Sequence, residues 1–236
     1  MLRPISLVAM FAAATWCCSA HAQVTADGCG ELANAYGPHD YRSDRDKDVA
    51  FMAHDKKLSL VEHAHFTPRI EALIRGESGP LGVELDYTLR AFPNHHRALV
   101  SVMRWGERAN SPQPPMLPRP VECYFERALR FQPDDTVARL LYVTFLNNKK
   151  RKSDALAQIE KTRFYAGDNA FTHYNIALIL LDLGEPDQAL VHAHRAIALG
   201  LERTELKDKL VALGRWQDPA PLPPSPDAAS APASAK

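Results

Sequence analysis

Two pairs of histidines are the residues of this 236-residue sequence best suited to carry chemistry. His95 and His96 are adjacent and follow Pro93, whereas His63 and His65 are separated by one residue. Imidazole nitrogens bind ions such as Zn²⁺ and Cu²⁺ and exchange protons near neutral pH, which makes these four side chains candidate metal ligands. A metal site needs three or four converging ligands whose rings are oriented by further hydrogen bonds. On an extended segment His63 and His65 would share one side, but adjacent rings at 95 and 96 would diverge.

A structural role is the alternative for the same histidines. Pro93 ends one predicted helix, so His95 and His96 would begin the next, where polar rings bond free backbone groups or pack on the preceding helix. His192 and His194 lie on another predicted helix at a spacing that turns them to different faces. The sequence therefore favours a protein without a metal or cofactor, and metal binding by His63, His65, His95 and His96 remains the alternative.

Motifs of the common enzyme classes are absent from the sequence. It contains no G-x-S-x-G, Walker loop, G-x-G-x-x-G or H-E-x-x-H. The 28 basic residues balance 28 acidic ones, so composition indicates no basic surface for nucleic acid. We predict a protein that is not an enzyme, does not bind nucleic acid and acts through its surface.

The first 22 residues have the pattern of a secretory signal peptide. Arg3 supplies a positive charge, the run ISLVAMFAAATWCC is apolar, and residues 20–22 (AHA) match the site of signal peptidase. We predict cleavage between Ala22 and Gln23 and a periplasmic or secreted mature chain. Since no later run reaches the roughly 18 apolar residues of a transmembrane helix, we expect the mature chain to have none.

The four cysteines divide between the signal peptide and the mature chain. Cys17 or Cys18 would be acylated if the protein were instead a lipid-anchored envelope protein. Cys29 and Cys123 remain after cleavage, in an oxidising compartment where such residues pair. Their disulfide would close a loop that chain-entropy arguments credit with about 4–5 kcal/mol. The alternative is two free, buried thiols.

Helical periodicity dominates the chain after its first quarter and predicts an all-α protein. Residues 23–66 are predicted to form an irregular N-terminal cap, in which the apolar alternation of residues 56–66 fits either an extended segment or a helix. Thr67 is a candidate N-cap with Pro68 in the first turn of a helix that would end at Gly76. Further helices are predicted at about 81–91, 95–109, 121–131, 136–147, 153–164, 170–183, 187–199 and 203–213.

Two proline-rich segments interrupt or follow these helices. The stretch SPQPPMLPRP, at residues 111–120, has five prolines in ten residues and is predicted to be a loop. Residues 217–236 contain Pro, Ala and Ser with almost no large apolar side chain, so we predict a disordered tail that acts as a tether. The alternative is that the tail is a ligand for a proline-binding partner. The predicted helical domain spans residues 67–216.

A period of 34 residues runs through the helical part. Ala128, Thr162 and Ala196 are spaced by this period, and so are Ala155 and Ala189. Helix-turn-helix units of this length resemble the tetratricopeptide repeat family. Residues 170–203 are most similar, with Ile176 and Ala177 at the Leu-Gly positions and Gly184 at the turn, although His173 and Leu201 depart from the family pattern.

The resemblance covers residues 67–203 and implies a short solenoid. The units at 136–169 and 96–135 are weaker, and the second of these carries the proline-rich insertion. The chain is also similar to a family of exported Gram-negative proteins whose function is poorly defined. These proteins carry characteristic segments before their tetratricopeptide repeats, and the matching segments here are GPHDYR, VEHAHFTP and LDYTLRAFPNHHRAL.

What the resemblance implies for function is a binding groove lined by the first helix of each repeat. The implied groove positions are Arg97, Val100, Ser101 and Arg104 in the first unit, and Phe171, Tyr174, Asn175, Leu178 and Asp182 in the last. We expect a periplasmic adaptor or assembly factor, for example in pilus or envelope assembly, that binds a protein segment there. The alternative is that the next helix covers these positions.

Overall fold

The computed structural model describes residues 26–43, 57–201 and 203–219. Within these ranges the regular elements are a 3-10 helix, Ala26–Cys29, and ten α-helices, which confirms the all-α class. The α-helices are α1 Lys57–His65, α2 Pro68–Glu71, α3 Leu81–Ala91, α4 His96–Arg108, α5 Val121–Phe131, α6 Thr136–Asn148, α7 Lys152–Ala166, α8 Ala170–Asp182, α9 Pro186–Ala198 and α10 Glu205–Ala212. The predicted signal peptide, its cleavage site, Cys17, Cys18 and most of the predicted tail lie outside the described residues.

Helices α4 to α9 pack as three successive pairs. Helix α4 contacts α5, α6 contacts α7, and α8 contacts α9, while α4, α6 and α8 also contact one another in that order. One continuous apolar core joins the pairs, and its fully buried members include Leu99, Phe125 and Ile176. Helix α10 closes the end of the row against α8 and α9.

Small residues at the 34-residue period lie where the helices approach closely. Ala128, Thr162, Ala196, Ala155 and Ala189 are all buried. A larger side chain at such a position would force neighbouring helices apart, since protein interiors have few voids to absorb extra atoms. The small residues that recur every 34 positions thus mark the same helix–helix contact in successive repeats.

The turns before α4, α6 and α8 share one capping arrangement. In each, the N-cap side chain accepts a hydrogen bond from the backbone N–H three residues later, which satisfies one of the free donors of the first turn. The pairs are His95 with Ala98 at 3.2 Å, Asp135 with Ala138 at 3.0 Å, and Asn169 with Thr172 at 2.9 Å. His95 therefore occupies the same place in its repeat as an aspartate and an asparagine do in theirs.

The predicted helix from Pro68 to Gly76 is wrong in length. Pro68 does begin α2, but the helix ends at Glu71, because Leu73 adopts a left-handed backbone (φ 57°) that places its side chain in the core. The Ile74 N–H then bonds to the Arg69 carbonyl at 2.9 Å and closes the turn. Thr67 is the N-cap residue, but its hydroxyl donates to Glu77 and leaves the helix uncapped by a side chain.

The N-terminal segment is less irregular than predicted. Residues 57–65 form α1, whose Leu58 and Val61 are buried against Ala91 and Phe92 of the α3 end. Because this segment is helical, His63 and His65 do not share one side as they would on an extended strand.

A disulfide between Cys29 and Cys123 fastens the N-terminal segment to α5, with 5.1 Å between the Cα atoms. Arg127, one helical turn after Cys123, donates from Nη1 to the carbonyls of Cys29, Gly30 and Glu31. The predicted pairing is confirmed, and it is typical of proteins outside the cytoplasm. Within the described ranges no helix has the length and apolar character needed to cross a membrane.

The proline-rich loop at 111–120 contains no helix and folds back on α3. Leu117 is buried in the core, and the Val121 N–H bonds to the Pro112 carbonyl at 2.8 Å. Gly82 of α3 lies under the loop, where an added Cβ would come within 2.5 Å of the Met116 carbonyl carbon. The loop is thus a packed part of the domain.

Candidate binding surfaces

Equivalent residues of α4, α6 and α8 form an exposed stripe across the row of helices. Arg97, Val137 and Phe171 are each the second residue of their helix, and the side chains at 137 and 171 are 45% and 56% exposed. Because α4, α6 and α8 pack side by side, residues at the same register lie along one face. We call this face, together with the other predicted groove residues on these helices, the first-helix face.

Arg97 begins the stripe, and its charge is engaged by two carboxylates. Its Nε donates to Glu71 at 2.9 Å and its Nη1 to Glu62 at 3.2 Å, while the guanidinium lies over the Phe66 ring. The hydrogen bond from Arg97 holds the pKa of Glu71 below its usual value. Binding a carboxylate at Arg97 would therefore require competition with two existing partners.

The remaining predicted groove residues divide into exposed and covered sets. Arg104, Asn175 and Asp182 are exposed, and Val100 and Leu178 are partly buried. Ser101 is buried, with its hydroxyl bonded to the carbonyls of Glu71 and Arg97. Tyr174 is also buried, because α10 covers it and Glu205 accepts its hydroxyl proton at 3.0 Å. Tyr174 and Ser101 are thus not exposed for partner contact, and Tyr174 follows the alternative in which the next helix covers a groove position.

A cleft opens at the α1 end of the first-helix face. It has a volume of about 580 Å³ and is lined by residues that include Glu62, His63, Phe66 and Arg97. This volume falls within the range of pockets that accommodate a small ligand or a group of side chains. Its position beside Arg97 extends the first-helix face towards α1.

Three of the four candidate metal ligands, His65, His95 and His96, each contact a different carboxylate. His65 Nδ1 lies 2.6 Å from Glu84 and the ring stacks on Tyr87, whereas His96 Nε2 lies 2.9 Å from Asp135. His63 is exposed at the edge of the cleft. In the described part of the chain no group of three or more His, Cys, Asp or Glu side chains could hold a metal ion.

His95 is fully buried and its hydrogen bonds define its protonated nitrogen. Nδ1 accepts from the Ala98 N–H, so in the neutral ring Nε2 carries the proton and donates it to Glu62 at 3.0 Å. Burial lowers the pKa of His95 below its ordinary value, although Glu62 opposes this effect. The ring thus acts as a capping and packing group at the α4 start.

Sequence reasoning missed a buried histidine pair between α8 and α9. His173 and His192 approach to 2.9 Å between their Nδ1 atoms, and His173 Nε2 donates to the Gly167 carbonyl at 3.0 Å. His173 Nδ1 must therefore accept, and His192 Nδ1 must donate. Burial, together with the charges that His173 and Arg163 can carry, lowers the pKa of His192 to about 4. Only the pairing of the two helices reveals this contact, because the residues are distant in sequence.

Comparisons of the chain with protein-family models, with curated proteins and with solved structures returned no match.

Proposed function

We propose that this protein is an exported, tetratricopeptide-like adaptor that binds a segment of another protein along its first-helix face. The observation that carries the proposal is the repeated register of α4, α6 and α8, which leaves Val137 and Phe171 exposed in line with Arg97. Repeated helix pairs offer such a face to extended or helical partner segments, whose side chains contact successive repeats.

The chemistry of the face favours a partner segment with apolar and acidic side chains. Phe171 and Val137 supply apolar area, while Arg104 is an exposed cation without a hydrogen-bond or ion-pair partner among the described residues. Arg203 adds a second positive charge, 5.6 Å from the centre of the Phe171 ring. An aromatic ring beside arginines is a common composition of protein interfaces.

The proposed site of action is the periplasm, in assembly of the cell envelope. The signal-peptide pattern and the disulfide between Cys29 and Cys123 both support a place outside the cytoplasm. An unmodified N-terminus at Gln23, measured by mass spectrometry of the mature protein, would support a periplasmic chain. A mass increased by acyl chains on Cys17 or Cys18 would support the lipid-anchored form.

Site-specific photocrosslinking tests the binding face. A photoreactive phenylalanine analogue replaces Phe171 or Val137 in living cells, and the matched control carries it at Val191 of α9, which is 61% exposed on another element. We expect a discrete crosslinked adduct from positions 171 and 137 and none from 191, and we expect Arg104→Glu to weaken the adduct. Equal adducts from all three positions, or no adduct from any, would refute binding at the first-helix face.

A further inference from the structure

A second cleft lies between α5, α6 and α7, lined by side chains outside the first-helix face. It has a volume of about 440 Å³, and its lining residues include Leu129 and Arg130 of α5, Arg139 of α6, and Lys161 and Tyr165 of α7. None of these residues takes part in the proposed function. Their combination of cations and apolar side chains raises the question of what the cleft binds.

Arg139 is the unusual residue of this cleft, because it is a buried cation that forms no ion pair among the described residues. It is 5% exposed and forms no ion pair in the ranges the structure describes, although Glu126 and Asp135 attract it over a longer distance. Its Nη1 donates to Gln158 at 2.8 Å and its Nη2 to the Pro133 carbonyl, but its Nε has no hydrogen-bond partner there. A buried guanidinium normally has a paired anion, since desolvation of an unpaired charge is costly.

Two further cations face the same cleft. Lys161 is exposed and has no hydrogen-bond or ion-pair partner among the described residues. Arg130 also lines the cleft, and its Nη2 donates to the Gly30 carbonyl. Glu126 is the one acidic residue of the lining, and its carboxylate accepts a hydrogen bond from Tyr142 at 2.6 Å. Three cations and one acid give the cleft a positive potential that attracts an anion.

Apolar side chains complete the cleft and restrict the kind of anion. Leu129 is a buried member of the lining, and the Arg139 guanidinium lies 5.5 Å from the centre of the Tyr165 ring. Phe164 is 81% exposed and packs edge-on against the Tyr165 ring. An exposed aromatic pair beside a buried arginine suits a ligand with a negative group at one end and an apolar group at the other.

We propose that this cleft binds an organic carboxylate that carries an apolar or aromatic group. The carboxylate is attracted by the positive charges of Arg139 and Lys161, which both line the cleft. The apolar group packs on Phe164, Tyr165 and Leu129. The same chemistry is available from a free small acid or from the C-terminus of a polypeptide that ends in an apolar residue.

The test uses the whole mature protein and 3-phenylpropanoate, with the neutral 3-phenylpropanamide as its matched control. Amide signals in ¹H–¹⁵N spectra, followed during titration, should shift saturably for the acid with a dissociation constant of roughly a millimolar or tighter. Lys161→Glu should weaken binding by about tenfold or more, because it reverses a charge at the cleft mouth. A short peptide ending in phenylalanine, with a free or an amidated C-terminus, distinguishes the two sources of the carboxylate. If the free-acid peptide binds more tightly than 3-phenylpropanoate, the ligand is a polypeptide C-terminus. If the two bind with equal affinity, the ligand is a small acid.

Control variants keep the result independent of folding and of the proposed adaptor function. Arg75→Gln removes an exposed arginine outside the cleft and should leave the affinity unchanged, whereas Arg139→Gln keeps a hydrogen-bonding side chain and should lose at least about tenfold. Lys161 is exposed, so its variants should fold even if those of Arg139 do not. Equal binding of acid and amide, or unchanged affinity in Lys161→Glu, would overturn the proposal without affecting the photocrosslinking result.

Discussion

The buried pair of His173 and His192 predicts that mild acid destabilises the protein. The pKa of His192 is about 4 in the folded state, against 6.5 in the unfolded chain. Between these values the unfolded state binds one more proton than the folded state, so this residue makes the free energy of unfolding rise with pH. Its contribution is complete above pH 6.5 and is lost as the pH falls towards 4.

The size of the effect follows from the displacement of the pKa. One pKa unit corresponds to about 1.4 kcal/mol, so the lowered value of His192 corresponds to about 3 kcal/mol over the whole window. Arg163 acts in the same direction because a second positive charge disfavours the protonated ring, and Glu160 acts in the opposite direction. The pKa of buried His95 is also lowered, so His95 likewise makes the free energy of unfolding rise with pH.

Urea unfolding followed by circular dichroism at several pH values between 4.5 and 7 measures this dependence. The variant His192→Asn retains an N–H donor for His173 but cannot titrate. A plot of its free energy of unfolding against pH should therefore be less steep than that of the parent by about 1.4 kcal/mol per pH unit, the contribution of one proton. Val191→Asn places the same residue on the exposed side of α9 and controls for helix propensity. If His192→Asn kept the parent slope, the assignment of a neutral buried His192 would be refuted.

Two further predictions concern the packing of the N-terminal segment and the proline-rich loop. Replacing both Cys29 and Cys123 by serine should lower the free energy of unfolding by roughly 2–5 kcal/mol, because the disulfide spans 94 residues; urea unfolding measures the loss, and the parent protein under reducing conditions should match the variant. Gly82→Ala should cost roughly 1–3 kcal/mol in thermal unfolding, since its Cβ would overlap the Met116 backbone, whereas Gly79→Ala adds its Cβ to open space and serves as control. A Gly82→Ala protein as stable as the parent would show that the loop shifts freely.

Helix positions were the most predictable property of the chain, because their signals are local. Proline and glycine breaks and apolar periodicity placed the ends of eight predicted helices, α3 to α10, within two residues of the observed ends. The equivalence of His95 with Asp135 as an N-cap was also predictable from the repeated turn. In contrast, α2 ends early because Leu73 leaves the helix to enter the core, which no local pattern indicates.

Side-chain roles depended on which helices meet. Tyr174 has the register of an exposed groove residue, but it is buried because α10 packs over it. Arg97 was predicted as a groove residue, and its pairing with Glu62 and Glu71 depends on the packing of α1 and α2 against α4. The histidines at 65, 95 and 96 each have a carboxylate from a different element as partner.

The sequence alone determined the helical class, the repeat period, the possible disulfide and the turns, since each is encoded in residue type and short-range spacing. The tertiary structure alone decided which polar groups are buried together. The pair of His173 with His192, and the buried Arg139 whose Nε has no hydrogen-bond partner among the described residues, arise from contacts between helices. The physical reason is that burial and electrostatic pairing depend on distances through space, which become defined only when the helices pack.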